Sequence, residues 1–370
     1  MKKVYDIAAY VWPAYTGDCP QTRIFWEKGM GEWQTVQTAT PKFEGHQWPR
    51  KPLWGYCNEA NPDVMQMQID CAVEHGVNVF IYDWYWYDNR PFLQQCLENG
   101  FMKAKNRDKM KFYIMWANHD VNYLWDKRNS DVMDPSSLLY SGACSAEQFE
   151  CATDYLIEHY FSEPNYYKID GKPVLMIYEL PNTLKGLGGL ENTKKAFQRL
   201  REKVKAAGFP DLHLQSLIRG NGTKNLDGLS SGAEMNLIAA AEELGMDSFT
   251  HYQFVSTTDI DTTYEEIIPE VQARWDEIHA GTKIPYYPHV SVGWDNNARF
   301  IKTFKSRMLR NNTPENFEKM LQIAKEYADK NDVPLITINS WNEWTEGSYL
   351  EPDDLYGYGY LEAIRRTFMD

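Results

Sequence analysis

The chain has 370 residues, with 38 basic and 52 acidic side chains and a net charge of −14. That balance excludes nucleic acid as an expected partner, because binding phosphates needs a basic stripe and none is present. No apolar run reaches the length of a membrane span, and six scattered cysteines without a C-x-x-C pair read as mostly buried free thiols rather than a zinc site. In chain order, Lys2 and Lys3 imitate the start of an export signal, but Tyr5 and Asp6 interrupt any hydrophobic region. The sequence as it stands is therefore expected in the cytoplasm, or in the periplasm or outside the cell if a signal has been trimmed from it.

The first apolar run, 5–11, predicts a strand. A helix over 62–75 comes next, with Asn61 as its cap, Pro62 at the first helical position, Asp63 in the first turn and Gly76 as its stop. Further along, strands are expected at 78–84, 111–116, 173–178, 212–218, 246–251, 286–292 and 334–339. Helices are expected between and after them at 91–104, 147–161, 193–207, 232–243, 263–279, 314–329 and 357–368, with Gly208 ending one and Thr313-Pro314 opening another. Several strands are near-continuous apolar runs, as strands buried on both faces should be. Eight strands alternating with eight helices is the count of a (β/α)8 TIM barrel. An open doubly wound sheet is the alternative, but no strand runs into a G-x-G-x-x-G turn. No linker divides the chain, so residues 1–370 read as a single barrel domain, with 12–60 and 117–146 as long loops at its C-terminal face.

In a barrel, residues just past each strand converge on one pocket. Here they are Tyr10 and Trp12, then Asp83, Trp84, Tyr85 and Trp86, then Trp116, Asn118, His119 and Asp120. Later strand ends supply Tyr178, Glu179, His251, Tyr252, Trp294 and Asp295, and the last supplies Trp341, Asn342, Glu343, Trp344 and Glu346. Rings beside amides and acids suit a carbohydrate, whose flat apolar faces stack on aromatics and whose glycosidic bond is commonly cleaved by two carboxyl groups. Each residue has a plainer reading: the rings fill a barrel mouth, Asp83 caps a turn, Glu351 anchors a loop. His119, His251 and His289 lack a metal-ligand spacing and read as structural.

Glu343 and Glu346, three apart, would face opposite ways on an extended strand, but a turn at Gly347 would bring both to the pocket. Mutual repulsion, and burial among Trp341, Trp344 and Tyr349, would then raise one pKa and leave one acid and one base. Spacing alone leaves open a second reading, a structural pair neutralised by Arg365 or Arg366.

The stretches WEKGMGEW (26–33), NPDVMQMQIDCA (61–72), Gly76 to Trp86, Trp116-Ala117-Asn118, YKIDGKPVLMIY (167–178) and Gly293-Trp294-Asp295 occur in order. With WNEWTEGSYLEP (341–352) and Tyr356-Gly357-Tyr358, they make the chain resemble the glycoside hydrolase family 99-like group, also described as WbsX-type glycosyltransferases of polysaccharide gene clusters. The resemblance implies a (β/α)8 barrel acting on a glycan, with no metal in the chemical step; no cofactor, membrane span or protein partner is expected. From the related endo-acting α-mannosidases it implies Glu343 as the base toward a sugar 2-hydroxyl, giving a 1,2-anhydro sugar, and Glu346 as general acid/base with retention. Apart from the resemblance, the strand-end residues expected to contact the sugar are Tyr10, Trp12, Asp83, Trp84, Trp86, Trp116, Asn118, His119, Tyr178, His251, Trp294, Asp295, Trp341 and Asn342. The chain departs from the group at His119-Asp120, where a Glu is usual, at Y-D-W-Y-W-Y (82–87) in place of Y-H-Y-W-F, and at Pro13-Ala14-Tyr15-Thr16 in place of P-Q-F-H. These positions bear on sugar specificity. A glycosyltransferase is the competing expectation, with Asp259-Ile260-Asp261 matching a D-x-D pattern, and a catalytically silent glycan-binding barrel is a third.

Overall fold

The computed structural model describes residues 4–17, 19–47, 50–122, 125–126, 128, 137–226, 235–305, 307–333 and 335–370. Its centre is a ring of eight parallel strands: β1 (Asp6–Val11), β2 (Val79–Tyr87), β3 (Lys111–Trp116), β4 (Lys172–Ile177), β5 (His213–Leu217), β6 (Ser248–Thr250), β7 (His289–Ser291) and β8 (Leu335–Asn339). They pair in the order β6-β5-β4-β3-β2-β1-β8-β7. Registers such as Ala8 with both Val79 and Thr337, and Asp83 with Met115, fix which residues share a level. A parallel bridge between Phe249 and Tyr286 joins β6 to the approach of β7 and closes the ring. The Phe249 amide donates to the Pro285 carbonyl at 2.9 Å, and the Tyr287 amide donates to the Phe249 carbonyl at 2.8 Å. The TIM-barrel expectation holds strand for strand.

Among the described residues, the α-helices of eight residues or more that wrap the ring are α1 (Pro62–Glu74), α2 (Ala146–Leu156), α3 (Leu190–Ala206), α4 (Leu237–Leu244), α5 (Tyr264–Gly281), α6 (Pro314–Lys330) and α7 (Gly359–Phe368). The expected caps form, with Asn61 accepting from the Asp63 amide and Thr313 accepting from the Asn316 amide. The start of the helix expected at 232–243 falls partly outside the described residues, as does Pro334 of the last strand.

One element differs from expectation. No regular helix spans 91–104. Asp88 and Asn89, at φ 52° and 57°, form a two-residue turn that sends Arg90–Phe92 back along β2 as an antiparallel strand. Only then does the chain coil, first as a π turn at Cys96–Gly100 and then as a 3-10 turn at Phe101–Lys103. Gly100 is needed there, since a Cβ would stand 2.0 Å from the Glu59 carbonyl oxygen.

The interior below the site is polar and paired. Thr250 and Thr337 hydroxyls meet at 2.8 Å, Tyr113 donates to Gln215 at 3.1 Å, and Gln253 donates to Asn339 at 2.7 Å. Such cross-barrel bonds fix rotamers that an apolar interior would leave looser. Among the described residues no helix is long and apolar enough to cross a membrane.

Candidate active site

Strand periodicity decides what reaches the barrel mouth. On β2, alternate residues point in and out. Asp83 and Tyr85 line a cavity of about 230 Å³ at the C-terminal ends of the strands. Trp84 and Trp86 face the other way, stacked at 5.6 Å and packed against Tyr155 of α2. The same parity turns Trp116 outward onto Phe149, while Met115 and Ala117 line the cavity. His251 points outward too. Its Nε2 donates to the Gly220 carbonyl at 2.9 Å, its Nδ1 accepts from Tyr286 at 2.7 Å, and burial lowers its pKa to about 4. Its neighbour Tyr252 points in.

After β8 the chain turns sharply. Glu343 precedes a 3-10 turn at Trp344–Glu346, and Gly347 ends that turn in the left-handed region at φ 63°. The turn brings both carboxylates into the cavity, at 3 % and 9 % exposure. Arg299, from the loop after β7, holds them together. Its guanidinium is 2.6 Å from Glu346 Oε1, 3.7 Å from Glu343 Oε2 and 3.3 Å from Glu32 Oε1. Trp12 donates to the other Glu32 oxygen at 2.6 Å. Arg365 and Arg366 instead pair with Glu362 and Glu318 on the outer surface, so the counter-charge is not the one expected from the last helix.

Electrostatics reflect this crowding. Burial, then Glu346, push the Glu343 carboxyl well above the usual range, with Arg299 pulling the other way. Glu346 is raised by burial and lowered by its direct contact with Arg299, leaving a net upward shift. Asp83 is pushed well up by burial, and its Oδ2 is 2.8 Å from the Tyr252 hydroxyl. The same hydroxyl is 2.8 Å from Glu343 Oε1. Three buried oxygens of the site have no hydrogen-bond partner among the described residues: Asp83 Oδ1, Glu343 Oε2 and Glu346 Oε2. Buried acceptors left open inside a cavity are positioned to meet a ligand's hydroxyls.

Of the residues expected at the site, Trp12, Asp83, His119, Tyr178, Glu343 and Glu346 line this cavity. Tyr10 lies one layer below, its ring against Tyr252 at 4.8 Å and its hydroxyl donating to the His251 carbonyl. Asn118 is fully used as a brace, donating to the Glu179 carbonyl and Thr183 and accepting from the Glu179 amide. Asn342 likewise clamps the Trp12 backbone at 2.8 and 2.9 Å and donates to Glu59. Trp341 lies behind the cavity, packed on Phe80 at 5.2 Å with its indole N–H directed at Gln68. Trp294 and Asp295 line a neighbouring hollow of about 340 Å³, where Asp295 is paired with His46 at 2.6 Å. The three histidines do not meet: His119 lines the cavity, His251 is behind it, and His289 bonds to Thr337 and Ser291 in the barrel interior.

The structure adds residues beyond the expected sugar contacts. Tyr85, Trp125, Arg219, Tyr252 and Arg299 line the cavity, and Glu32 supports Arg299 from outside it. Tyr85 and Tyr252 are visible in the sequence as strand-end residues, and strand parity would select them over Trp84, Trp86 and His251. Glu32 lies within WEKGMGEW (26–33), but Arg299 and Trp125 carry no spacing signal.

The fold is similar to that of the GH99 endo-alpha-mannosidase from Bacteroides thetaiotaomicron, at TM-score 0.62 and 15 % identity over 99 % of this chain and 96 % of that one. A second solved structure, a glycoside hydrolase-like protein, gives TM-score 0.63 at 15 % identity over 100 % and 94 %. At such identities the likeness is one of fold. In sequence the chain is 28 % identical over 355 residues to the uncharacterized protein WxcX of Xanthomonas campestris pv. campestris, covering 94 % of this chain and 47 % of the relative. The chain thus spans about half the length of the curated relatives it matches. The family model described as Glycosyltransferase WbsX matches residues 7–364, and with nearly its whole length so covered the chain belongs to the WbsX family.

Proposed function

We propose that this barrel hydrolyses an O-glycosidic bond in an oligosaccharide or polysaccharide, with retention, using Glu343 and Glu346. The observation that carries the reading is the pair of open carboxylate oxygens, Glu343 Oε2 and Glu346 Oε2, in one ring-walled cavity and gathered by a single guanidinium. Glu343 takes the proton of the sugar 2-hydroxyl, whose oxygen attacks the anomeric carbon and forms a 1,2-anhydro sugar. Glu346 gives a proton to the departing oxygen and then takes one from the water that attacks the anomeric carbon, while Glu343 returns its proton to O2 as the anhydro ring opens. Arg299 occupies Glu346 Oε1, so the proton transferred is carried on Oε2, the oxygen left open. Trp12, Tyr85, Trp125 and Tyr178 supply the ring faces on which a sugar stacks.

The family's description favours a second reading, transfer to a sugar acceptor in polysaccharide synthesis. The D-x-D acids give it no support from the site. Asp259 pairs with Arg307 and Asp261 with Arg310 on the surface, away from the cavity lining. A panel of plant, fungal and bacterial glycans separates the readings. Hydrolysis predicts new reducing ends from at least one glycan, with the rate reduced about 10²- to 10⁴-fold in both Glu343→Gln and Glu346→Gln. Release unchanged in both variants would remove the pair from the chemistry, and thermal stabilisation by a nucleotide sugar would favour transfer.

A further inference from the structure

The Tyr252 hydroxyl sits between two carboxyl groups, 2.8 Å from Asp83 Oδ2 and 2.8 Å from Glu343 Oε1. A phenol has one hydrogen to donate, and an ionised carboxylate can only accept. Two ionised carboxylates would therefore leave one of these short contacts as oxygen facing oxygen with no hydrogen between. Both contacts become hydrogen bonds when one carboxyl carries a proton, donates it to the phenol oxygen, and the phenol donates onward to the other.

The surroundings choose which acid keeps the proton. Glu343 Oε2 is 3.7 Å from the Arg299 guanidinium, whereas no cation lies within ion-pair reach of Asp83 among the described residues. The remaining charged groups at the cavity do not change the order. Arg219 is spent on Glu179 at 2.7 Å, Glu32 and Glu346 share Arg299, and burial lowers the pKa of His119 so that it faces the cavity neutral. An acid in a buried site without a cation is the one that stays neutral.

We propose that Asp83 remains protonated at neutral pH and donates to the Tyr252 oxygen, committing the phenol's hydrogen to Glu343. Asp83 is then a positioning residue, acting through Tyr252. This rests on the reading of Glu343 as the base, and it removes a difficulty in that reading. Burial among acids drives Glu343 toward neutrality, yet a base must be ionised. A committed phenol donor on Oε1 and Arg299 near Oε2 favour the ionised form, with Oε2 left open for the proton it is to receive.

Carbon-13 resonances of labelled aspartate and glutamate side-chain carboxyls test this without a substrate. Asp83→Asn and Glu343→Gln serve to assign the two signals by their loss, and the wild-type protein supplies the answer. At pH about 7 the Asp83 carboxyl is expected at the protonated position and Glu343 at the ionised one. In Tyr252→Phe the Glu343 titration is expected to move up by about one to two pH units, the worth of one hydrogen bond to a charged group. An ionised Asp83 beside a protonated Glu343, or a Glu343 titration unmoved in Tyr252→Phe, would overturn the proposal. Circular dichroism and thermal melts check that each variant is folded. Failure of the functional reading has a different signature, since glycan release would persist in both Glu343→Gln and Glu346→Gln while the carboxyl signals could still behave as expected.

Discussion

At the scale of single residues, Arg299 is the residue on which the site's electrostatics turn. It faces Glu32, Glu343 and Glu346 together, and it is held charged well beyond its ordinary range by those three carboxylates despite its burial. Removing one partner of a buried ion cluster leaves charge uncompensated, which costs about 3–5 kcal/mol. Arg299→Gln is therefore expected to lose about that much stability at pH 8. The sign with pH comes from linkage. Without the guanidinium the folded-state pKa values of Glu343 and Glu346 rise further above their unfolded values, so the folded state binds more protons than the unfolded one. The deficit is then smallest below the ordinary glutamate range and grows as pH rises through the raised values. Urea midpoints at pH about 5 and about 8 measure it, and a deficit independent of pH would show that Arg299 acts by packing alone. Glu343 and Glu346 were legible in the sequence because the turn carrying them is compact and ends at Gly347. Arg299 was not, because a lone arginine in a loop has no period and no local partner. Tyr252 was legible in place but not in role, since its position between two acids exists only once β2 and β6 share the ring.

At the scale of elements, the same contrast separates the strands from the segments that connect them. Strands buried on both faces are read from apolar runs, and all eight stand where those runs lie. Facing is read from parity, which ring chemistry obscured: Trp84, Trp86 and Trp116 suit a sugar as residue types but pack under the outer helices. The helix expected at 91–104 failed because Asp88-Asn89 is a hairpin turn, a local signal that the apolar periodicity outvoted. A second acidic network braces the turn at Trp344–Glu346 against the loop after β1 and against α1. Gln68 donates to both Glu59 and Glu351, Asn342 donates to Glu59, and Trp344 donates to Glu351 at 2.6 Å. Burial raises Glu59 from 4.5 to about 7 and Glu351 well above its ordinary range, with no cation bonded to either among the described residues. A raised folded-state pKa means stability that is complete below pH about 4.5 and lost as pH rises through about 7. Glu59→Gln, which keeps an acceptor and cannot ionise, is expected to flatten that decline, gaining on the wild type above pH 7 and falling slightly behind it near pH 5. Thermal midpoints across this range test it. A wild-type profile already flat from pH 5 to 8 would show that the network carries no titrating proton.

At the scale of the whole molecule, charge and cavity point the same way. The net charge is −14, and the cavity gathers Asp83, Glu343 and Glu346, with Glu32 beside them. The two arginines that line it are both committed: Arg299 to the glutamates and Arg219 to Glu179. A glycan rich in uronic acid or sulfate would bring more negative charge into a site whose lining cations are already paired, at a repulsion of several kcal/mol for close buried charges. A neutral sugar meets open acceptors in Asp83 Oδ1 and Glu343 Oε2, each matched to a hydroxyl donor, and a proton donor in Glu346 Oε2. The expected outcome is that neutral glycans of the panel are cleaved while polyanionic ones of the same backbone are not. Raising ionic strength from about 0.05 to about 0.5 M should relieve only the long-range part of that discrimination, because salt screens the outer field and scarcely reaches a buried pair. Association of a charged glycan would then improve with salt while its cleavage stayed low. Comparable cleavage of neutral and polyanionic glycans at low salt would mean that one arginine leaves its glutamate to receive substrate. Arg219, whose side chain is 54 % exposed over the Tyr178 ring, is the one placed to do so, and loss of polyanion cleavage alone in Arg219→Gln would identify it.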